Sequence, residues 1–577
     1  MRTQKYIISA LLCLILGGEV WGQCLSLPDA FEQKLESAEK ILEGRVVGQQ
    51  SFFGDDGNIY TSNEVEVYRV FKGDVGFEST IVTEGGIVGD LMQVVTPSVQ
   101  LNVGDYGIFT SLDNKTTEFV ALDESSTAVY GNHRFNHREA LYESIARNVG
   151  SNTIEMRRIP LDSFQAELKG SRSTPELSMV SPSMVTAGTR TILTIEGSGF
   201  GNEQGSGHVA FSNADDGGQS FVALQPGPHY LSWTDTEIQL YVPSATLYNA
   251  TVAGTGQIKV RNDQGMSGLS DQEVTVKYAK SEVVYNQNLN STHLVGMNSG
   301  GYEFSINQEL HAFLGGDAIV RSAFEKWACN TGVNFILSED VVSVVDWSHD
   351  DINLMGLSTS GQLPSYLLGK TITTFSGCGT PNGLRWNLIE VDVLLNSDID
   401  WWIGEGTPMS HQFDMATSIL HEIGHAQLLQ HNNDPASPMY FELTEGATRR
   451  NLNQITDIDG GTYIANEAIH AEHTCSAELH ELYDDSNCNL SLINSVMEED
   501  NQQFEVFPNP FNDEFSVVLE GNSPAAISVF DAQGRSVLED NWRGSKVVLR
   551  TDGLPSGMYL LVVTAEEGRF ARRLVKN

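Results

Sequence analysis

Residues 421–431 read HEIGHAQLLQH, a spacing of histidines and a glutamate that is typical of a metal site on a helix. Residues four apart lie one turn above each other on a helix, so His421 and His425 direct their ring nitrogens at one ion. Glu422 is rotated about 100° from His421, which sets its carboxylate beside the ion. His431 comes further along, so it joins the same ion only if the chain turns sharply after His425.

The predicted ligand set favours a catalytic zinc ion. Three neutral imidazoles leave one position of Zn²⁺ open for water, whereas structural zinc sites are closed. Zinc lowers the pKa of that water toward ~7 and polarises a substrate carbonyl. We therefore expect Glu422 to take a proton from water and deliver it to a leaving amine, with proteins or peptides as substrates. If these histidines were instead ordinary helix residues, both spacings would have to arise by chance.

Residues beyond the motif carry a resemblance to the metzincin zinc peptidases, and to the matrixins most closely. The matrixin pattern is HExxHxxGxxH followed by a methionine turn. Met439 stands at the matrixin interval after His431 and precedes Tyr440, as in that family. Three further segments resemble the first helix, a central strand and the start of the last helix of the family: 323–327 (AFEKW), 351–354 (DINL) and 453–460 (NQITDIDG).

This resemblance implies both a fold and an activity. It implies that residues 285–470 form an α+β metzincin-like catalytic domain and that the protein is a secreted zinc endopeptidase. It also implies that the three histidines are the metal ligands, that Glu422 is the catalytic base, and that Met439 forms the hydrophobic floor beneath the ion.

The sequence departs from the matrixin pattern at Leu428, where the family has a glycine that ends the helix in a left-handed turn. A residue other than glycine costs roughly 1 kcal/mol in that conformation, which a folded domain tolerates. If the helix instead continued, Glu442 or Glu445 would be the alternative third ligand. The interval from His431 to Met439 favours the turn.

The composition excludes some partners. The 577 residues contain 34 Lys and Arg against 75 Asp and Glu, a formal net charge of −41. That charge repels nucleic acid and anionic membrane surfaces, so we expect neither as a partner. Acidic pairs such as Asp350 and Asp351 carry the oxygen ligands of Ca²⁺, although no loop has a recognisable calcium-binding spacing.

The chain begins with features of an export signal. Residues 1–22 combine a basic start, an apolar core over residues 7–16 and small residues near a cleavage site. No other segment is apolar enough for a transmembrane helix. Residues 23–150 consist of short apolar runs between turn residues and are predicted to be a β-rich domain to which no chemistry is assigned.

Residues 175–280 are all strand and turn in character. The stretch 186–201 (TAGTRTILTIEGSGFG) resembles the opening of an IPT/TIG module, an immunoglobulin-like sandwich. Such modules act as spacers or binding surfaces, and a spacer is the expected role here.

After an acidic linker at residues 471–503, the block 504–577 is again β in character. It resembles the C-terminal sorting domain of the type IX secretion system through four ordered motifs: 507–510 (FPNP), 527–535 (ISVFDAQGR), 554–559 (LPSGMY) and 573–576 (RLVK). The resemblance implies a Bacteroidota-type bacterium, in which the chain crosses the inner membrane by its signal and then the outer membrane by the type IX machinery. We therefore expect the protein to be secreted or attached to the cell surface.

Taken together, the sequence predicts a multidomain chain in which an α+β metzincin-like catalytic domain is flanked by β-sandwich and β-rich domains. The alternative function is a surface adhesin in which the protease-like region is vestigial. Among the cysteines, Cys475 with Cys488 and Cys329 with Cys378 are candidate disulfide pairs, although sequence does not fix connectivity.

Overall fold

The computed structural model describes most of residues 38–121, 173–343, 349–470 and 504–576, with shorter stretches between 128 and 156 and between 477 and 488. The expected signal at residues 1–22 lies outside these ranges. None of the helices in the described part of the chain combines the length and the apolar character needed to span a bilayer.

The N-terminal region is built on a six-stranded antiparallel sheet in which β10, β2, β1, β6 and β7 are neighbours and β3 pairs with β2. Alternation of apolar and acidic residues explains the long second strand, since Val65 and Val67 are buried whereas Glu64 is exposed. The strands are β1 (Lys40–Phe53), β2 (Ile59–Lys72), β3 (Glu78–Glu84), β4 (Gly86–Val88), β5 (Leu91–Thr96), β6 (Tyr106–Leu112), β7 (Thr116–Ala121), β8 (Ala128–Tyr130), β9 (His133–Phe135) and β10 (Ile154–Glu155).

Residues 176–279 form a β-sandwich with its own apolar core. One sheet orders β11, β13, β17 and β16, and inward residues such as Leu193 and Ile195 are fully buried against the facing strands. The strands are β11 (Glu176–Ser181), β12 (Met184–Ala187), β13 (Ile192–Ser198), β14 (His208–Asn213), β15 (Phe221–Leu224), β16 (Tyr230–Trp233), β17 (Glu237–Tyr241), β18 (Ser244–Ala245), β19 (Thr251–Arg261) and β20 (Ser267–Ala279).

The next region continues directly from this sandwich. Its strands are β21 (Glu282–Tyr285), β22 (Asn288–His293), β23 (Tyr302–Asn307), β24 (Phe335–Val342), β25 (Asn353–Leu357), β26 (Gly369–Thr380), β27 (Gly383–Leu395), β28 (Trp401–Trp402) and β29 (Phe413–Asp414). Strands β22, β27, β25, β23 and β24 run parallel, and β26 is antiparallel to β27. On its other edge β26 pairs with β5 of the N-terminal region, with Thr373 opposite Val94.

Four α-helices accompany these strands: α1 (Gln308–Ala312), α2 (Gly316–Thr331), α3 (Met415–Ala426) and α4 (Asp459–Ile469). Helix α3 packs on β26, β27 and α2. The indole Nε1 of Trp327 in α2 donates a hydrogen bond of 2.9 Å to the carbonyl oxygen of Leu420 in α3, and both residues belong to the main apolar core.

The prediction of an α+β metzincin-like catalytic domain is wrong. The chain is mostly β-strand, and strands β21 to β27 belong to a 15-stranded sheet that also contains β4, β5 and strands of the sandwich, while β28 and β29 form a separate two-stranded sheet. The four-residue spacing of His421 and His425 predicted a helix, which α3 confirms, but it carried no information on how the strands pair. Those pairings join segments that are remote in the sequence, as β26 and β5 are, so local patterns do not reveal them.

A disulfide joins Cys329 to Cys488. The expected pairings of Cys329 with Cys378 and of Cys475 with Cys488 are therefore wrong. Part of the expected linker is attached to the same region, because Gly296 N donates to Glu478 O at 2.7 Å and Asn334 N donates to His480 Nε2 at 3.1 Å.

The C-terminal block folds on a separate apolar core that includes Val517, Ile527 and Leu561. Its strands form a three-stranded and a four-stranded sheet. They are β30 (Phe504–Phe507), β31 (Glu514–Leu519), β32 (Pro524–Phe530), β33 (Ser536–Arg543), β34 (Lys546–Arg550), β35 (Gly557–Ala565) and β36 (Gly568–Lys576).

Asp414 is the N-terminal cap of helix α3, and its contacts give a prediction about the stability of the fold. The buried carboxylate accepts from Thr417 N at 3.1 Å and from Arg450 Nε at 2.8 Å. Asp414→Ala removes both the helix cap and the partner of a part-buried arginine, so we expect a loss of about 3 kcal/mol in the free energy of unfolding. Urea unfolding followed by tryptophan fluorescence measures it. Asp340→Ala, the same change at an exposed site, is the control, and equal stability of the two variants would contradict the role of the cap.

Candidate metal centre

The structure brings His421, His425 and His431 together. One ring nitrogen from each of them lies within 4.8 Å of the others, and the Nε2 atoms of His421 and His425 are 3.0 Å apart. The three side chains are almost completely buried. The alternative ligands Glu442 and Glu445 do not belong to this group among the residues that the structure describes.

A sharp turn returns His431 to the other two rings. Helix α3 ends at Ala426, and Leu428 adopts the left-handed conformation with φ of 75°. The segment after the helix then pairs with the end of the sandwich, because Gln430 N donates to Ala279 O at 2.9 Å and Ser281 N donates to Leu428 O at 2.9 Å. These two bonds and the burial of Leu428 offset the roughly 1 kcal/mol that the left-handed backbone costs.

Each ring is oriented through its Nδ1 atom. His421 Nδ1 donates to Pro438 O at 2.7 Å, and His425 Nδ1 donates to Leu429 O at 2.9 Å. A carbonyl oxygen only accepts, so in both rings the proton sits on Nδ1 and Nε2 carries a lone pair. His431 Nδ1 faces a carboxylate oxygen of Asp215 at 2.7 Å, which selects the same tautomer.

These residues fit a zinc ion. With both protons on Nδ1, the Nε2 lone pairs of His421 and His425 face each other at 3.0 Å without a hydrogen between them, and a cation removes that repulsion. Two nitrogens at the usual Zn–N distance on a tetrahedral ion lie ~3.3 Å apart.

Burial and the two neighbouring rings hold the pKa of His421 well below its ordinary value, and burial lowers the pKa of His425 to about 3. Neutral rings are the metal-binding form.

Glu422 follows His421 on helix α3 and is fully buried. Its Oε2 accepts a hydrogen bond from the hydroxyl of Thr371 on β26, whereas its Oε1 has no hydrogen-bond partner among the residues described. Burial raises the pKa of the Glu422 carboxyl to about 8, and the bond from Thr371 opposes that shift. Gly369 leaves room for this carboxylate, since a Cβ there would lie 2.8 Å from Oε1.

Met439 packs beneath the helix that carries the first two histidines. A Cβ added to Gly424 would lie 2.0 Å from the sulfur of Met439, so the glycine permits the contact. The Met439 turn is fixed by Ser437, whose Oγ accepts from Met439 N at 2.9 Å and donates to Asp457 Oδ1 at 2.6 Å. The floor expected at Met439 is thus in contact with α3.

Sequence reasoning missed Asp215 and Thr371. Both reach the site from distant parts of the chain, since Asp215 is 216 positions before His431 and Thr371 is 51 positions before Glu422. Neither has a local signature, because an aspartate in a turn and a threonine in a strand are ordinary residues for those elements.

A second group of metal-capable side chains consists of His349, Asp351 and Glu390. Within this group, His349 Nδ1 lies 2.9 Å from Glu390 Oε2 and Asp351 N donates to the same carboxylate at 2.8 Å. Burial raises the pKa of the Glu390 carboxyl, and the hydrogen bond from His349 opposes that shift. The Ca²⁺ ion expected at Asp350 and Asp351 stays a prediction.

Two family models match parts of the chain. The IPT/TIG domain model matches residues 175–278, and the secretion system C-terminal sorting domain model matches residues 505–577, so both resemblances are confirmed. No curated protein matches the chain. The sorting domain makes the type IX secretion machinery a partner, and it identifies a secreted or surface-attached protein of a Bacteroidota-type bacterium.

The contact between α3 and Met439 gives a prediction at Gly424. Gly424→Ala forces a methyl group into the sulfur of Met439, and overpacking of this kind costs about 2 kcal/mol. We expect thermal unfolding of Gly424→Ala to occur at a lower temperature than that of the wild type. Met439→Ala in the same chain makes room for the methyl group. The double variant should therefore lose less free energy of unfolding than the two single variants lose together. Strict additivity would contradict the contact.

Proposed function

We propose that this protein is a zinc-dependent endopeptidase that hydrolyses peptide bonds in extracellular proteins. The observation that carries the proposal is the convergence of three imidazole nitrogens, with their other nitrogens already hydrogen-bonded, while the buried Glu422 lies on the same helix as the first two rings. Three histidines with an open fourth position form a catalytic type of zinc site. The likeness of the motif and of Met439 with Tyr440 to the metzincins supports the same activity.

His421, His425 and His431 would hold the ion, which when bound supplies Lewis-acid polarisation of a carbonyl and acidifies water. Glu422 accepts a proton as water adds to the peptide carbonyl carbon. The same carboxyl then delivers that proton to the amine nitrogen as the carbon–nitrogen bond breaks. The Thr371 hydroxyl holds one oxygen of Glu422, so the other oxygen is left to exchange the proton.

The surroundings of Glu422 suit a general base. Burial excludes water from the carboxylate, and electrostatic interactions are stronger where water is excluded. A base acts best when its pKa is close to the working pH, and burial moves the pKa of Glu422 upward. The extracellular location given by the sorting domain supports extracellular proteins as substrates.

The experiment compares Glu422→Ala with the wild type in a protein-cleavage assay, with zinc content measured on both. Removing the base should lower the cleavage rate by about 10²- to 10⁴-fold, while the three histidines still retain zinc. Glu445→Ala is the matched control, because Glu445 is exposed and close in sequence, and it should cleave at the wild-type rate.

Two results would decide against this function. Equal cleavage by Glu422→Ala and wild type would reject the role of the base. A wild-type protein that retains no zinc and cleaves nothing would favour the surface adhesin, in which the protease-like region is vestigial.

A further inference from the structure

We infer that Asp215 of the IPT/TIG domain is a positioning residue for the zinc ligand His431, so that this domain is a structural part of the metal centre. The inference rests on the proposed function, and it assigns to the domain a role other than that of a spacer. Three independent features of the structure carry it: the contact itself, the rigidity of the turn that presents Asp215, and the close packing around that turn.

The contact joins Asp215 Oδ1 to His431 Nδ1 at 2.7 Å, with the histidine side chain 4% exposed and the aspartate side chain 28% exposed. The other two ligands take a different partner, because His421 and His425 donate to backbone carbonyls of their own segment. They also sit on helix α3, which fixes their backbone. His431 lies beyond the helix end, so its ring depends more on a side-chain partner for its orientation.

The turn that presents Asp215 is rigidly built. It is a short 3₁₀ turn, Ala214–Asp216, whose cap Asn213 accepts a hydrogen bond from Asp215 N at 3.0 Å. The buried carboxylate of Asp216 accepts from Gly218 N at 3.1 Å, Gln219 N at 2.9 Å and Ser220 N at 3.0 Å. The carboxylate of Asp216 therefore stabilises the loop, while the carboxylate of Asp215 contacts His431.

The domain also packs closely on the segment that contains His431 and Met439. A Cβ on Gly217 would lie 2.5 Å from the hydroxyl oxygen of Tyr440, and one on Gly254 would lie 2.4 Å from the amide nitrogen of Asn433. Asn433 Nδ2 in turn donates to Thr255 O at 2.9 Å. Glycines at these contacts let the side chains of Tyr440 and Asn433 pack directly on the backbone of the domain, and this close packing holds Asp215 at a fixed position relative to the three histidines.

A carboxylate at this place has two effects on a metal-binding histidine. It fixes the tautomer and the ring plane, and its charge makes the opposite nitrogen a better electron donor to the ion. Loss of such a partner typically weakens metal binding by about 10- to 100-fold. The effect is on the metal affinity itself and is measurable without substrate.

The test uses the full-length protein and measures the zinc dissociation constant by competition with a chelator of known affinity. Asp215→Ala should weaken zinc binding by about 10- to 100-fold, and Asp215→Asn should weaken it less because the amide oxygen still accepts from His431. The matched control is Asp317→Asn, which removes the charge of an aspartate that is 44% exposed and lies 2.8 Å from His311 Nδ1. It should bind zinc as the wild type does. Thermal unfolding of the metal-free proteins verifies that each variant folds. If Asp215→Ala does not fold, the isosteric Asp215→Asn alone is compared with the wild type.

The outcomes separate the two proposals. If the wild type binds zinc and both Asp215 variants bind it equally well, the positioning role is wrong and the proposed function stands. If Asp317→Asn weakens binding as much as Asp215→Ala, the effect is one of net charge and the positioning role is again wrong. If the wild type binds no zinc, the proposed function and this inference fail together.

Discussion

The left-handed backbone at Leu428 is the constraint on which the candidate metal centre depends. A helix that continued past Ala426 would carry His431 away from His421 and His425, because successive turns rise along the axis. Leu428 adopts a left-handed conformation that is unfavourable for a residue other than glycine, and hydrogen bonds next to it compensate for the cost. Those contacts come from Ala279 at the end of the β-sandwich and from Ser281 just after it. The turn that assembles the site is therefore held by a neighbouring domain as well as by its own segment.

The same dependence on distant parts of the chain appears on the other side of the site. Thr371 on strand β26 donates a hydrogen bond to Glu422. The edge of β26 that does not pair with β27 pairs with β5 of the N-terminal region. Lys370 on β26 donates to Glu84 Oε1 at 2.7 Å, an ion pair between residues 286 positions apart. Both charged groups are largely buried, so the pair fixes how the two regions meet. The candidate site lies where three regions of the chain come together.

Part of this arrangement follows from the sequence alone. The four-residue spacing of His421 and His425 predicts one helix face, and the position of His431 requires a turn after it. The α+β catalytic domain was predicted wrongly, because a local histidine motif says nothing about a 15-stranded sheet assembled from three regions. Asp215, Thr371 and the partner of Cys329 were unpredictable for the same reason, since contacts between remote residues leave no local pattern.

The central claim is that three imidazoles and no other protein group bind one zinc ion. X-ray absorption at the zinc edge of the exported protein measures the ligands directly. The account predicts three imidazole nitrogens at ~2.0–2.1 Å and one oxygen from water. A spectrum with two imidazoles and a carboxylate oxygen, or with sulfur at ~2.3 Å, would contradict it.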